Sequence, residues 1–143
     1  MVKKLSNFTV VIRVKNEERW IGYAIQSVLD HLIKPEIVIV DNNSTDKTID
    51  IVKFFAENPN LNNEANNYSK IKIVNIANYS PGRALNLGVK NASKKYILIL
   101  SAHCILKKFN EIIQDLKVKN YSILVTSLKD YDLFINSKLF TLT

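Results

Sequence analysis

A chain of 143 residues holds one hydrophobic core and is too short for two, and its 47% apolar and 23% charged residues exclude the disordered and fibrous classes. The formal net charge of +7 is compatible with an anionic partner, a nucleotide diphosphate, a nucleic acid or an acidic membrane surface, and does not by itself choose between them. Because the lysines come in scattered pairs (Lys3 and Lys4, Lys94 and Lys95, Lys107 and Lys108) and never in a long basic run with interleaved aromatics, no nucleic-acid partner is expected.

The first predicted element is FTVVIRV, residues 8–14, an apolar and β-branched run suited to a strand buried on both faces. Asn16 is then placed to cap a helix with Glu17 and Glu18 in its first turn. Trp20, Ile21, Ala24, Ile25, Val28, Leu29 and Leu32 give that helix one apolar face, and Pro35 ends it. A strand over 37–40 runs into Asp41, and the polar turn Asn42, Asn43, Ser44, Thr45 leads to a helix reaching about Ala56. Residues 58–69, rich in asparagine, read as an exposed loop.

A strand over 71–77 is followed by a turn through Pro81 and Gly82 into a helix over 83–92. Next comes a very apolar strand, 96–100, which stops abruptly at Ser101, Ala102, His103 and Cys104. A helix near 110–118 and a strand at 122–126 complete the regular part. Alternating strands and helices predict a doubly wound, mostly parallel α/β sheet with helices on both faces. One domain is expected over 1–127, with a tail of uncertain structure over 128–143.

Cys104 is the sole cysteine, so an intrachain disulfide and a cysteine-built zinc site are excluded and a reducing cytoplasm fits. Ser6, Asn7 and Arg13 interrupt any signal-peptide core, and no apolar run approaches the roughly eighteen residues of a membrane span. Any membrane contact is expected to be peripheral.

In parallel α/β sheets ligands bind beyond the carboxyl ends of the strands. The unusual polar residues of this chain fall there in four separate loops: 13–17, 41–46, 80–86 and 101–103. Arg13, near the end of a buried strand, requires an anion, and either Glu17 or a ligand phosphate would serve. Asp41 offers its carboxylate to ligand hydroxyl or imide groups, or else caps the turn after it. Asp46 sits where helix first turns favour aspartate. Arg83 opens a helix, a place that favours anions.

The segments VVIRVKNEERWIGYAIQSVL, EIVIVDNNSTDKT and YSPGRALNLGVKNASKKYILILSAHC, taken in order over about residues 9–104, resemble the N-terminal half of family 2 glycosyltransferases. They are especially similar to the bacterial branch that builds surface polysaccharides. The resemblance implies a GT-A, Rossmann-like fold, truncated here. It implies transfer, with inversion, of a sugar from a nucleotide-diphospho-sugar donor to a polysaccharide or lipid-linked acceptor. Donor-nucleotide residues would be Arg13, Asn16, Glu17, Asp41, Asn43, Asp46 and Arg83, and Ser101, Ala102 and His103 would mark the diphosphate or metal region.

The broader family carries two aspartates, separated by one residue, where this chain has Ser101 and His103. A surviving metal would have His103 as ligand and would be manganese, which tolerates nitrogen; Ser101 is so poor a substitute for a carboxylate that metal independence is the expectation. No catalytic base is assigned. Glu111 and Asp115 fall on the predicted helix, and Asp130 and Asp132 in the tail come too early for the family position of that carboxylate. The alternative reading is a catalytically incompetent donor-binding module that needs a partner chain or an oligomer. A dinucleotide binder is disfavoured because no GxGxxG follows the first strand.

Overall fold

The computed structural model describes residues 5–58 and 70–106, together with the strand 123–126. In chain order these form β1 (Leu5–Ser6), β2 (Phe8–Val14), α1 (Ile21–His31), β3 (Leu32–Ile33), β4 (Glu36–Asp41), α2 (Thr48–Glu57), β5 (Lys70–Asn75), α3 (Pro81–Lys90), β6 (Tyr96–Ser101) and β7 (Ile123–Thr126). Five strands make one sheet in the order β5-β4-β2-β6-β7 with every pairing parallel. β1 and β3 form a separate two-residue parallel ladder.

Alternation along the central strand β2 decides how the layers pack. Phe8, Val10, Ile12 and Val14 join Ile37, Ile39, Leu98 and Leu100 under the apolar faces of α1 and α2, whereas Val11, with Val38, Val40 and Ile99, meets α3 on the other side. Helices therefore cover both faces, as expected of a doubly wound sheet. One close approach sets the spacing: Gly88 brings α3 so near β2 that a Cβ there would fall 2.2 Å from Val11 Cγ1, whereas a Cβ at Gly22 in α1 would make only ordinary contact with Ile51 and Phe55 of α2 (3.7 and 3.9 Å). Cys104 is buried in the core.

Two local expectations are corrected. α1 begins at Ile21 and not beside Asn16, whose φ of 52° is left-handed; residues 15–20 are loop, and the Glu17 carbonyl accepts from the amides of Trp20 and Ile21. Pro81 and Gly82 are not a turn ahead of α3 but its first residues, because the Ser80 hydroxyl accepts from the Arg83 amide and starts the helix there. The short ladder of β1 and β3 follows from left-handed turns at Asn7 (φ 75°) and Lys34 (φ 47°), which no periodicity announces. The helix expected near 110–118, the acids Glu111, Asp115, Asp130 and Asp132, and the tail 128–143 lie outside the described residues.

The register levels the carboxyl ends. Val14 lies beside Asp41 and Asp41 beside Asn75, while Arg13 lies beside both Val40 and Ser101. The loops after β2, β4, β5 and β6 consequently leave from a single edge. At the opposite edge the fully buried Glu36 ties the layers: Oε1 accepts from Thr9 Oγ1 (2.8 Å) and the Ser93 amide (2.7 Å), and Oε2 accepts from Ser93 Oγ (2.7 Å) and pairs with Lys72 Nζ (3.3 Å).

Candidate functional site

The loops after β2 and β4 are locked together at the carboxyl edge. Asn16 Oδ1 accepts from the amides of Thr45 (2.7 Å) and Asp46 (3.3 Å), and the Asn16 amide donates to Ser44 Oγ (3.0 Å). Lys15 Nζ donates to the Asn43 carbonyl (2.7 Å), which the left-handed φ of 53° at Asn43 turns towards it. Glu18 and residues 46–47 exchange bonds in both directions, the Glu18 amide donating to Asp46 Oδ2 (3.1 Å) and the Lys47 amide to Glu18 Oε2 (3.1 Å). Asp46 Oδ1 also accepts from the amide and the hydroxyl of Thr48, and that hydroxyl accepts from the Glu17 amide (2.7 Å). Desolvation raises the Asp46 pKa, but the bonds from Thr48 and Glu18 outweigh it and hold the carboxyl below its usual range.

Asn16 and Asp46 are thus committed to positioning backbone. Asp41 is not: it ends β4 buried, and Oδ1 caps the turn by accepting from the Ser44 amide (3.1 Å). Among the described residues Oδ2 has no hydrogen-bond partner. The capping and ligand readings of Asp41 are therefore compatible, because each can use a different oxygen.

Of the two partners weighed for Arg13, the one in the chain, Glu17, is not its partner in the structure. Instead Nη1 donates to Tyr79 Oη (3.2 Å) on the loop after β5. Arg83 Nη1 donates to the carbonyl of Asn78 (3.3 Å), the residue before Tyr79. Glu17 instead faces His103, with Oε1 3.9 Å from Nδ1 and the imidazole more than half exposed. Ser101 ends β6 beside Arg13, while Ala102 turns into the core, so its side chain offers the site nothing.

This edge gathers Arg13, Asn16, Glu17, Asp41, Asn43, Asp46, Arg83, Ser101 and His103. Sequence reasoning missed Tyr79, Glu18 and Thr48. Only Tyr79 carries a signal, an exposed aromatic just ahead of a helix start. A resident divalent ion does not fit the donor set. Ser101 supplies a neutral hydroxyl, Glu17 and His103 supply one carboxylate and one imidazole, and among the described residues no three His, Cys, Asp or Glu side chains cluster closely enough to hold a metal.

A parallel sheet with helices on both faces and its polar loops gathered at the carboxyl edge is a GT-A-type α/β architecture. The chain belongs to glycosyl transferase family 2, whose family model matches residues 9–138. It is 33% identical over 92 residues to the minor teichoic acid biosynthesis protein GgaA of Bacillus subtilis, covering 62% of this chain and 19% of that protein. Among solved structures it is similar to S. aureus TarS 1-349 in complex with UDP-GlcNAc, with a TM-score of 0.60 at 24% identity over 78% of this chain and 30% of that one. It is also similar to the mannosyltransferase PcManGT of Pyrobaculum calidifontis in complex with GDP-Man and Mn2+, with a TM-score of 0.63 at 22% identity over 78% and 31%. The chain spans less than a third of the length of each of these three. Among the described residues no helix is long and apolar enough to cross a membrane.

Proposed function

We propose that the chain binds a nucleotide-diphospho-sugar at its carboxyl edge and acts as the donor half of an inverting glycosyltransferase. The acceptor is a polysaccharide or a lipid-linked glycan, and the work is done on the cytoplasmic side with peripheral membrane contact. Asp41 carries the reading. A buried carboxylate with one oxygen fixed in a turn and the other without a partner among the described residues is poised to accept hydrogen bonds from ribose hydroxyls or a base imide. The interlocked loops on either side hold it ready before ligand arrives. TarS and PcManGT, which share the fold, were crystallised with UDP-GlcNAc and GDP-Man, which points to nucleoside diphosphate sugars as the ligand class to test.

The test is thermal unfolding in the presence of UDP, GDP and their sugar conjugates. Ligand at a hundred times its Kd should add about 2.7 kcal/mol of stability. Asp41→Ala should abolish most of that gain while lowering the ligand-free midpoint only modestly. The reading fails if no nucleotide raises the midpoint at millimolar concentration. Release of free sugar from the donor separates a transferase from a module that only binds: an intact donor after prolonged incubation favours the module.

A further inference from the structure

We propose that the diphosphate of the donor is held here without a divalent cation, the fixed charges of Arg13 and Arg83 standing where a metal would otherwise be needed. The inference rests on the nucleotide reading above and specifies how the anionic part of that ligand is bound. It starts from the mismatch at the end of β6. A hard divalent ion prefers carboxylate and other oxygen ligands, whereas the groups that follow this strand are a neutral hydroxyl and a half-exposed imidazole, with the nearby Glu17 carboxylate standing on another loop and no cluster of three ligating side chains among the described residues.

Arg13 is the second observation. It sits near the end of the central strand, partly buried, on the same face as Val11 and beside Ser101. A guanidinium cannot shed its charge, so a half-buried one calls for an anion. Among the described residues it has no carboxylate partner, only the phenol of Tyr79 on one nitrogen. The rest of its donor fork is unused among the described residues and can meet an anionic ligand.

Arg83 is the third. It too lacks a carboxylate partner among the described residues and is anchored on the Asn78 carbonyl. Asn78 and Tyr79 are consecutive, so one loop steadies both guanidiniums. That loop follows β5, and β4 lies between β5 and β2 in the sheet, so the Arg13 to Tyr79 bond spans the position of β4. Two positive charges without a carboxylate partner among the described residues therefore share one sheet edge with the carboxylate proposed to hold the nucleoside.

The charges also balance. A divalent cation bound by two carboxylates adds nothing net to its surroundings, and neither does the Ser101 hydroxyl. Losing carboxylates and cation together leaves the diphosphate, with one negative charge on each phosphate of a nucleotide sugar, facing one arginine apiece.

Isothermal titration of UDP and GDP into the whole chain, in chelator, in magnesium and in manganese, tests the proposal, with uridine and guanosine as controls. The expected result is a dissociation constant that changes by less than about twofold between chelator and either metal. Arg83→Gln and Arg13→Gln should each weaken the diphosphate by about tenfold, the scale of one charge-assisted bond, and leave the nucleosides unaffected. Arg13→Lys, which keeps the charge on the strand, should recover part of the loss, and ligand-free melting curves identify any variant that fails to fold. Arg83 is exposed, so its substitution tests the idea even if Arg13→Gln does not fold. A gain of tenfold or more with manganese that disappears in His103→Ala overturns the proposal while leaving the nucleotide reading intact. Nucleosides and diphosphates that fail to bind under every condition overturn both.

Discussion

At the amino end of β4, Glu36 stays ionised with no exposure to solvent because donors surround it. Burial alone would raise its pKa. The hydroxyl and amide of Ser93, the hydroxyl of Thr9 and the Lys72 ammonium reverse that and bring it from 4.5 down to about 2. With the folded value depressed, the unfolded chain takes up the proton first. The contribution is complete above pH 4.5 and drains away as pH falls from there towards 2. Urea unfolding at a series of pH values should show this slope, and Glu36→Gln should flatten it. At neutral pH the variant should lose on the order of 3 kcal/mol, because a wholly buried carboxylate shares little of its interaction with solvent. An unchanged slope in Glu36→Gln would assign the acid sensitivity to other carboxylates.

Packing between elements is least forgiving where α3 crosses β2. A methyl at position 88 would lie 2.2 Å from Val11 Cγ1, and Val11 is fully buried in the central strand with nowhere to retreat. Gly88→Ala should therefore cost roughly 1–3 kcal/mol by overpacking. Gly82→Ala, in the first turn of the same helix with nothing within 4 Å, should be neutral or stabilise by roughly 0.4–1 kcal/mol. Equal effects at the two positions in chemical denaturation would contradict the close approach. The loops after β2 and β4 form an element of their own, held by Asp46. Asp46→Ala removes the acceptor of the Glu18 and Thr48 amides, so hydrogen exchange should accelerate at those two amides first. Nucleotide affinity should fall with it, because the loops that flank Asp41 are no longer fixed. Exchange rates that stay at parental values would show that Asn16 and Glu18 alone suffice to hold the loops.

Across the whole molecule the net charge of +7 acts at a distance on any anionic ligand. Raising ionic strength from about 0.01 M to about 1 M shortens the screening length from about 30 Å to about 3 Å. Nucleoside diphosphate affinity should therefore fall several-fold over that range, mostly through slower association, while nucleoside affinity holds. Titrations at several salt concentrations measure both. If salt leaves the diphosphate unaffected, the long-range field plays no part and only contacts at the edge matter.

The apolar runs at 8–14, 37–40 and 96–100 and the polar residues that follow each of them made the alternating architecture and its ligand edge legible without coordinates. Burial of β-branched runs and the exit of loops at strand ends are local consequences of local sequence. Arg13, Asp41 and Arg83 could be placed at that edge for the same reason. Their partners could not, because those depend on which strands become neighbours. Arg13 meets Tyr79 across 66 positions, Glu36 meets Ser93 across 57 and Asn16 meets Thr45 across 29. The left-handed turn at Asn16 likewise replaced a plausible helix cap, since satisfying two amides of a neighbouring loop outweighs one local bond. The sequence by itself determined the order of elements and the edge at which polar groups collect. Only the tertiary structure decided which of those groups are spent holding loops together and which, like the second oxygen of Asp41 and the remaining nitrogens of Arg13 and Arg83, have no partner among the described residues, because hydrogen-bond satisfaction is settled by side chains brought together from distant parts of the chain.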